Sequence, residues 1–223
     1  MTRRMILPLL FGLAGCAILI ALGSWQVQRL AWKQGILAQI SARLTDPPVA
    51  LPAVPDPAAD KYLPVRVAGR FTGPEIDVLA SLKGAGAGYR VIAAFQTDDG
   101  RRIMIDRGFL PEDQRDRPRT VTAASILGTL HWPDETDSFT PPPDAARAIW
   151  FARDVPAMAA VLGTEPVLIV ARGATGDGIT PLPVDTQGIP NNHLNYALTW
   201  FSLAAVWAGM TGLLLWRIRR RTD

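Results

Sequence analysis

The sequence has one cysteine, Cys16, and two histidines, His131 and His193. Cys16 lies inside an apolar run, so disulfide bridges, cysteine-ligated zinc and iron–sulfur clusters are all excluded. His131 is the one histidine between the two long apolar runs. No Gly-x-Ser-x-Gly segment or metal-binding histidine spacing accompanies it, and nothing argues for an enzyme. A basic surplus is missing too. The formal charge is +3, yet residues 29–185 hold 17 basic against 19 acidic residues, a net charge of −2. The excess sits in Arg3 and Arg4 before the first run and in Arg217, Arg219, Arg220 and Arg221 after the last. Nucleic acid requires a basic footprint on the folded domain, and is excluded as a partner.

What the chain does have is two long uncharged stretches. Residues 5–28 carry no charge. A helix of that length is about 36 Å long, enough for a hydrocarbon core of about 30 Å. Trp25 and Trp32 stand where interfacial aromatics belong, and Arg29 and Lys33 mark the emergence into water. An uncleaved span is the reading adopted. The alternatives are a cleaved signal peptide ending at Ala21-Leu22-Gly23, and a lipoprotein signal, because Leu13-Ala14-Gly15-Cys16 has the form of a lipid-attachment box. The apolar residues Ile18, Leu19, Ile20 and Leu22 after Cys16 make a poor polar tether. Residues 191–216 form the second span, anchored by Trp200, Trp207 and Trp216. Arginines at both outer ends place both termini in the cytoplasm and the middle segment outside. The expected partition is a span at 5–28, a helical continuation and proline-rich tether at 29–61, an external domain at 62–185, a span at 191–216 and a basic tail at 217–223. The lipid bilayer is thus an expected partner.

Residues 46–64 contain six prolines, which favours an extended tether over a core element. Beyond it, alternation at Val65 and Val67 predicts a strand to Phe71, with a second at 75–80. Residues 89–97 and 102–109 are predicted strands joined by Asp98-Asp99-Gly100, a hairpin signal. Residues 121–131, 149–152 and 167–172 are further predicted strands. Residues 133–143 are acidic and proline-rich, hence a loop. Asp154, Pro156 and Gly163 bracket a short helix as cap, first turn and stop. The fold class expected is α+β: two transmembrane helices flanking an external, mainly antiparallel, curled or barrel-like β domain with short helices.

Candidate chemistry is sparse in the domain. His131, beside Trp132 at a strand end, is expected to be a surface or loop residue. Gly84-Ala85-Gly86-Ala87-Gly88 lacks the Gly-Lys-Ser/Thr end of a phosphate loop. Asp106-Arg107-Gly108-Phe109 is either an internal ion pair or part of a docking surface. The mouth of the second span offers more. There His193, Tyr196, Trp200, Ala204 and Trp207 recur at helical spacing. Neutral imidazole is a common axial ligand to haem iron, and an aromatic and small-residue stripe suits a porphyrin or isoprenoid surface. The plainer account is that Asn191 or Asn192 caps the helix and His193 bonds at headgroup level.

Gly23-Ser24-Trp25-Gln26-Val27-Gln28-Arg29-Leu30-Ala31-Trp32-Lys33 resembles the motif ending the first span of the Surfeit locus protein 1 family. Asn191-Asn192-His193-Leu194-Asn195-Tyr196-Ala197-Leu198-Thr199-Trp200-Phe201 is similar to that family's second-span motif. Between them, Gly88-Tyr89-Arg90, Asp106-Arg107-Gly108-Phe109-Leu110-Pro111 and Trp150-Phe151-Ala152-Arg153-Asp154 fall in the family's order, with Phe109-Leu110 where many members carry Trp-Val. The resemblance implies an assembly factor for haem–copper terminal oxidases of the cytochrome c oxidase type, in the bacterial inner membrane. It also implies haem a as the cofactor handled, with His193 alone carried over as iron ligand; Tyr196 and Trp200 join it as cofactor-binding candidates from the helical stripe. The implied partners are the oxidase catalytic subunit and the haem a synthesis machinery. A scaffold that stabilises an oxidase subunit without binding haem is the competing expectation.

Overall fold

The computed structural model describes residues 3–120, 122–144, 147–187 and 189–221. In chain order the elements are helix α1 (Arg3–Leu44), strands β1 (Val49–Ala50), β2 (Pro64–Leu82), β3 (Gly86–Thr97) and β4 (Arg102–Pro111), and a 3-10 turn at Glu112–Gln114. Then follow β5 (Ala123–Leu130), β6 (Ile149–Trp150), helix α2 (Val155–Leu162), β7 (Leu168–Ala171) and helix α3 (His193–Arg220). Val121, the first residue of one expected strand, lies outside the described residues. The chain divides into two units: Met1–Gln39 with Thr186–Asp223, and Ile40–Asp185.

The first unit is an antiparallel helix pair, and both helices are long and apolar enough to cross a membrane. Its close approach follows from side-chain size. A Cβ added to Gly12 would lie 2.2 Å from the Thr211 methyl, one on Gly15 2.3 Å from Trp207 Nε1, and one on Gly23 2.6 Å from the Phe201 ring. Three glycines of α1 therefore receive bulky residues of α3, the packing that serves where lipid removes any hydrophobic drive. The Trp207 indole N–H donates to the Gly12 carbonyl at 3.1 Å, and the Cys16 thiol faces the Ala204 carbonyl at 3.9 Å.

The second unit is a sheet ordered β1-β2-β3-β4-β7-β5, with β5 also paired to β2 and β6 attached to β2. Most of its ladders are antiparallel, but β1–β2, β2–β6 and β4–β7 are parallel. It is thus a mixed, curled sheet and not a regular barrel. The two strands expected at 65–71 and 75–80 are one strand, β2, whose register shifts between Phe71 and Glu75. Gly73 and Pro74 break the local pattern without ending the pairing, as a bulge does. The proline-rich segment also differs from a free tether. Val49 and Ala50, between prolines, pair with Val65 and Arg66, and Arg101 Nη1 donates to the Pro52 carbonyl at 2.7 Å.

Alternation sorts the core onto two faces. Phe95, Ile103, Ile105 and Ile169 pack with Val65, Val67, Phe71 and Ile126 inside the curl. Ile92, Ala94, Met104 and Leu168 point to the other face, where α2 covers them with Val155, Met158, Ala159 and Leu162. Each such aliphatic burial contributes about 1.5–3 kcal/mol. As expected, Asp154 caps α2 by accepting from the Ala157 N–H at 3.1 Å, and Gly163 ends it at φ +63°. A cap of this kind stabilises by about 1 kcal/mol.

Candidate functional site

His193 is the first residue of α3, at the end of the helix pair where α1 carries Gln26. The His193 Nδ1 to Gln26 Oε1 distance is 2.7 Å. An amide oxygen there accepts from Nδ1–H, so Nε2 bears the ring's lone pair. That is the tautomer a metal needs, and fixing it through the second ring nitrogen is the usual means of orienting a ligating histidine. One turn before Gln26 on α1, Gly23 meets Phe201, and two turns beyond it Lys33 Nζ donates to the Pro190 carbonyl. The segment entering α3 is therefore held by side chains of α1. Asn191 Oδ1 is buried with no hydrogen-bond partner among the described residues, and Asn192, at the cap position, makes no side-chain cap bond. The capping role expected of the two asparagines is not realised. Instead a buried acceptor beside His193 is left open to a donor, which is costly unless satisfied.

The remaining residues of the expected stripe separate. His193, Ala197, Trp200, Ala204, Trp207, Thr211, Leu215 and Ile218 are the buried or half-buried positions of α3, at spacings of four and three. Tyr196 is 56% exposed and lies off that face. The reason is size, because Ala197 lets the helices close where tyrosine would hold them apart. Ala204 and Trp207, offered by the sequence as a porphyrin surface, are packed on α1. An apolar groove of about 470 Å³ runs beside Trp207, lined by Gly15, Ile18, Leu19, Leu203, Val206 and Met210. Its walls suit a hydrocarbon chain, and His193 does not line it.

In the β unit the three middle motifs meet at one carboxylate. Asp106, fully buried, accepts from Arg90 Nε at 2.9 Å, Arg153 Nη1 at 3.1 Å and the Gly108 N–H at 3.1 Å. Arg153 also holds Glu135 through two nitrogens. Burial works to raise the Glu135 pKa, but hydrogen bonding to Arg153 and its charge outweigh this and hold it below the usual range. Removing one member of such a buried set costs about 3–5 kcal/mol, since it strands the partner charges. Asp106 and Arg107 are paired, as one expectation had it, but not to each other. Arg107, 2% exposed, reaches Asp177 at 2.7 Å and the Thr175 carbonyl at 2.9 Å. Gly108 sits at φ +116° with Thr180 O where a Cβ would be, so only glycine fits. Phe109 and Thr180 then exchange backbone hydrogen bonds of 2.7 and 2.8 Å, and Arg90 Nη2 holds the Leu182 carbonyl at 2.9 Å. The motif thus secures residues 175–182, the stretch leading on to α3.

His131 lies in the loop just past β5, one of its two expected placements, but not at the surface. Its ring is half-buried 5.5 Å from the Tyr62 ring, and Nδ1 has no partner among the described residues. Burial first, then the charges of Arg153 and Lys61, push its pKa down to about 4, against a smaller opposing effect of Glu135. No group of three or more His, Cys, Asp or Glu among the described residues is placed to hold a metal ion. Gln26 and Lys33 escaped notice as site residues because only the pairing of the helices reveals their role. The signal was their place inside the first-span motif.

The sequence model of the SURF1 family matches residues 13–205. The chain is 32% identical to Surfeit locus protein 1 of Xenopus tropicalis over 212 residues, covering 83% of this chain and 68% of that protein. It is 32% identical to a SURF1-like protein of Monosiga brevicollis, over 92% of this chain and 84% of the relative. A SURF1-like protein of Rickettsia felis is 31% identical, over 84% of this chain and 87% of the relative. The matched span takes in both end motifs and the three that meet at Asp106. The chain belongs to the SURF1 family.

Proposed function

We infer that this protein serves the assembly of a haem–copper terminal oxidase of the cytochrome c oxidase type, binding haem a at His193 and assisting its insertion into the catalytic subunit. Family membership supports the assembly role. One observation carries the haem reading: the bond from His193 to Gln26 joins the two end motifs and leaves Nε2 with the lone pair. On this reading His193 holds the iron, Gln26 fixes the ring, and Asn191 Oδ1 accepts from the bound group. Trp200 continues the half-buried α3 face that begins at His193, and Tyr196 stands exposed beside that face. The haem is cargo here, taken from the synthesis machinery and passed to the oxidase subunit. The arginine-flanked helices support a two-pass protein of the bacterial inner membrane with both termini cytoplasmic and the β unit periplasmic.

A second reading, a scaffold that binds an oxidase subunit without haem, is favoured by the packing of Ala204 and Trp207 on α1. The two differ in a colour. The haem reading expects the protein, purified from cells that make haem a, to carry it and the His193→Ala variant to lose it. The scaffold reading expects both to be colourless and to co-isolate with the oxidase alike.

A further inference from the structure

Phe139 stands at the tip of the loop after β5 with 89% of its surface exposed, the largest exposure of any large apolar residue described. Its backbone is not loose. Asp137 Oδ1 accepts from the Phe139 N–H at 2.8 Å and from Thr140 Oγ1 at 3.0 Å, while the Asp137 N–H donates to Thr140 Oγ1 at 2.9 Å. Pro141, Pro142 and Pro143 follow and fix the descending limb. An aromatic on so fixed a backbone loses little freedom on docking. At the foot of the loop lies a groove of about 210 Å³ lined by Thr136, Pro141, Pro143, Trp150, Phe151 and Ala157. Phe151 beside it is 41% exposed.

The surrounding charge says what the occupant is. Residues 133–144 contain Asp134, Glu135, Asp137 and Asp144 and no basic residue. Arg153 compensates Glu135 and Arg147 approaches Asp144 at 3.9 Å, but Asp134 and Asp137 remain exposed in the same loop as Phe139. Hydrogen bonds from the Phe139 N–H and Thr140 hold Asp137 ionised to below the usual carboxylate range. An acidic collar is repelled by anionic lipid headgroups, and loops that insert in membranes carry lysine and arginine instead. It suits a protein face with an apolar pocket rimmed by basic side chains.

We propose that Phe139 and its acidic collar are the docking anchor by which this protein engages the oxidase catalytic subunit, through an apolar pocket with a basic rim. This rests on the assembly reading above. The test places a photoreactive benzoylphenylalanine at position 139 of the full chain in cells that make the oxidase, with the same probe at Val161, 67% exposed on α2, as control. Irradiation should join the catalytic subunit to the probe at 139 and not at 161. Phe139→Ala should lower the subunit co-isolated by at least about tenfold, as loss of a central aromatic anchor does. Asp134→Lys should lower it and reduce its sensitivity to salt. Both side chains are exposed, so each variant should unfold at the wild-type temperature. If wild type co-isolates the subunit while the probe at 139 joins only lipid, a second copy or nothing, or Phe139→Ala co-isolates it equally, the anchor is overturned. If wild type itself brings down no oxidase subunit, the assembly reading fails and the anchor falls with it.

Discussion

At the scale of single residues, both histidines are defined by what touches the ring. Gln26 selects the His193 tautomer, whereas His131 is kept neutral by burial and by the nearby charges of Arg153 and Lys61. The sign of the second effect follows from linkage. The native His131 takes up its proton near pH 4, and the unfolded one near 6.5. Between these values the unfolded chain binds more protons, so the contribution is complete above pH 6.5 and is lost as pH falls towards 4. Its size is of order 3 kcal/mol. Urea unfolding at pH 7 and pH 4.5 should therefore show His131→Gln losing about 2 kcal/mol less than wild type on acidification. Equal losses would contradict the assignment. Acidic residues such as Glu135 and Asp177 titrate in both proteins and cancel in the difference. None of this was legible in the sequence, where His131 beside a strand end looks peripheral. Burial of a loop residue depends on Tyr62, from a different stretch of chain. His193 stood out as a candidate because it falls in an uncharged run where any polar group is conspicuous.

Among the elements, legibility follows how local the signal is. Asp154, Pro156 and Gly163 lie within one short segment, and α2 matches them. The hairpin of β3 and β4 is equally local at Asp98-Asp99-Gly100, although both faces of these strands are buried and alternation is faint. The bent course of β2 was not legible, because Gly73-Pro74 signals a break that only pairing to β3 overrides. The face of α3 that packs on α1 was not legible either. Helical spacing groups His193 with either Tyr196 or Ala197, and the choice is made by the glycines of α1. That pairing is testable directly. In a Cys16→Ser background, Gly12→Cys with Thr211→Cys should form a disulfide on mild oxidation, since a Cβ at Gly12 lies 3.0 Å from Thr211 Cβ. Gly23→Ile, forced against Phe201, should slow that cross-link about tenfold or more. Free thiols after oxidation of the double cysteine variant would rule out the seam.

For the whole molecule, the two long apolar helices flanking the β unit were visible in the length of the apolar runs. The joining of distant motifs at Asp106 was not, since spacing alone cannot say that Arg90, Asp106 and Arg153 converge. Alkaline phosphatase fused within residues 133–143 should be active, and fused after residue 221 inactive, if the β unit is periplasmic and the tail cytoplasmic. The reverse pattern would invert the membrane reading. The central claim is that the Gln26–His193 pair makes a haem site. Its most direct test is the absorption spectrum of the full chain purified from cells co-producing haem a, as wild type, Gln26→Leu and His193→Ala. The account predicts bound haem in wild type, retention weakened about 10–100-fold in Gln26→Leu, and loss in His193→Ala. Equal haem in wild type and His193→Ala, or a colourless wild type, would contradict it.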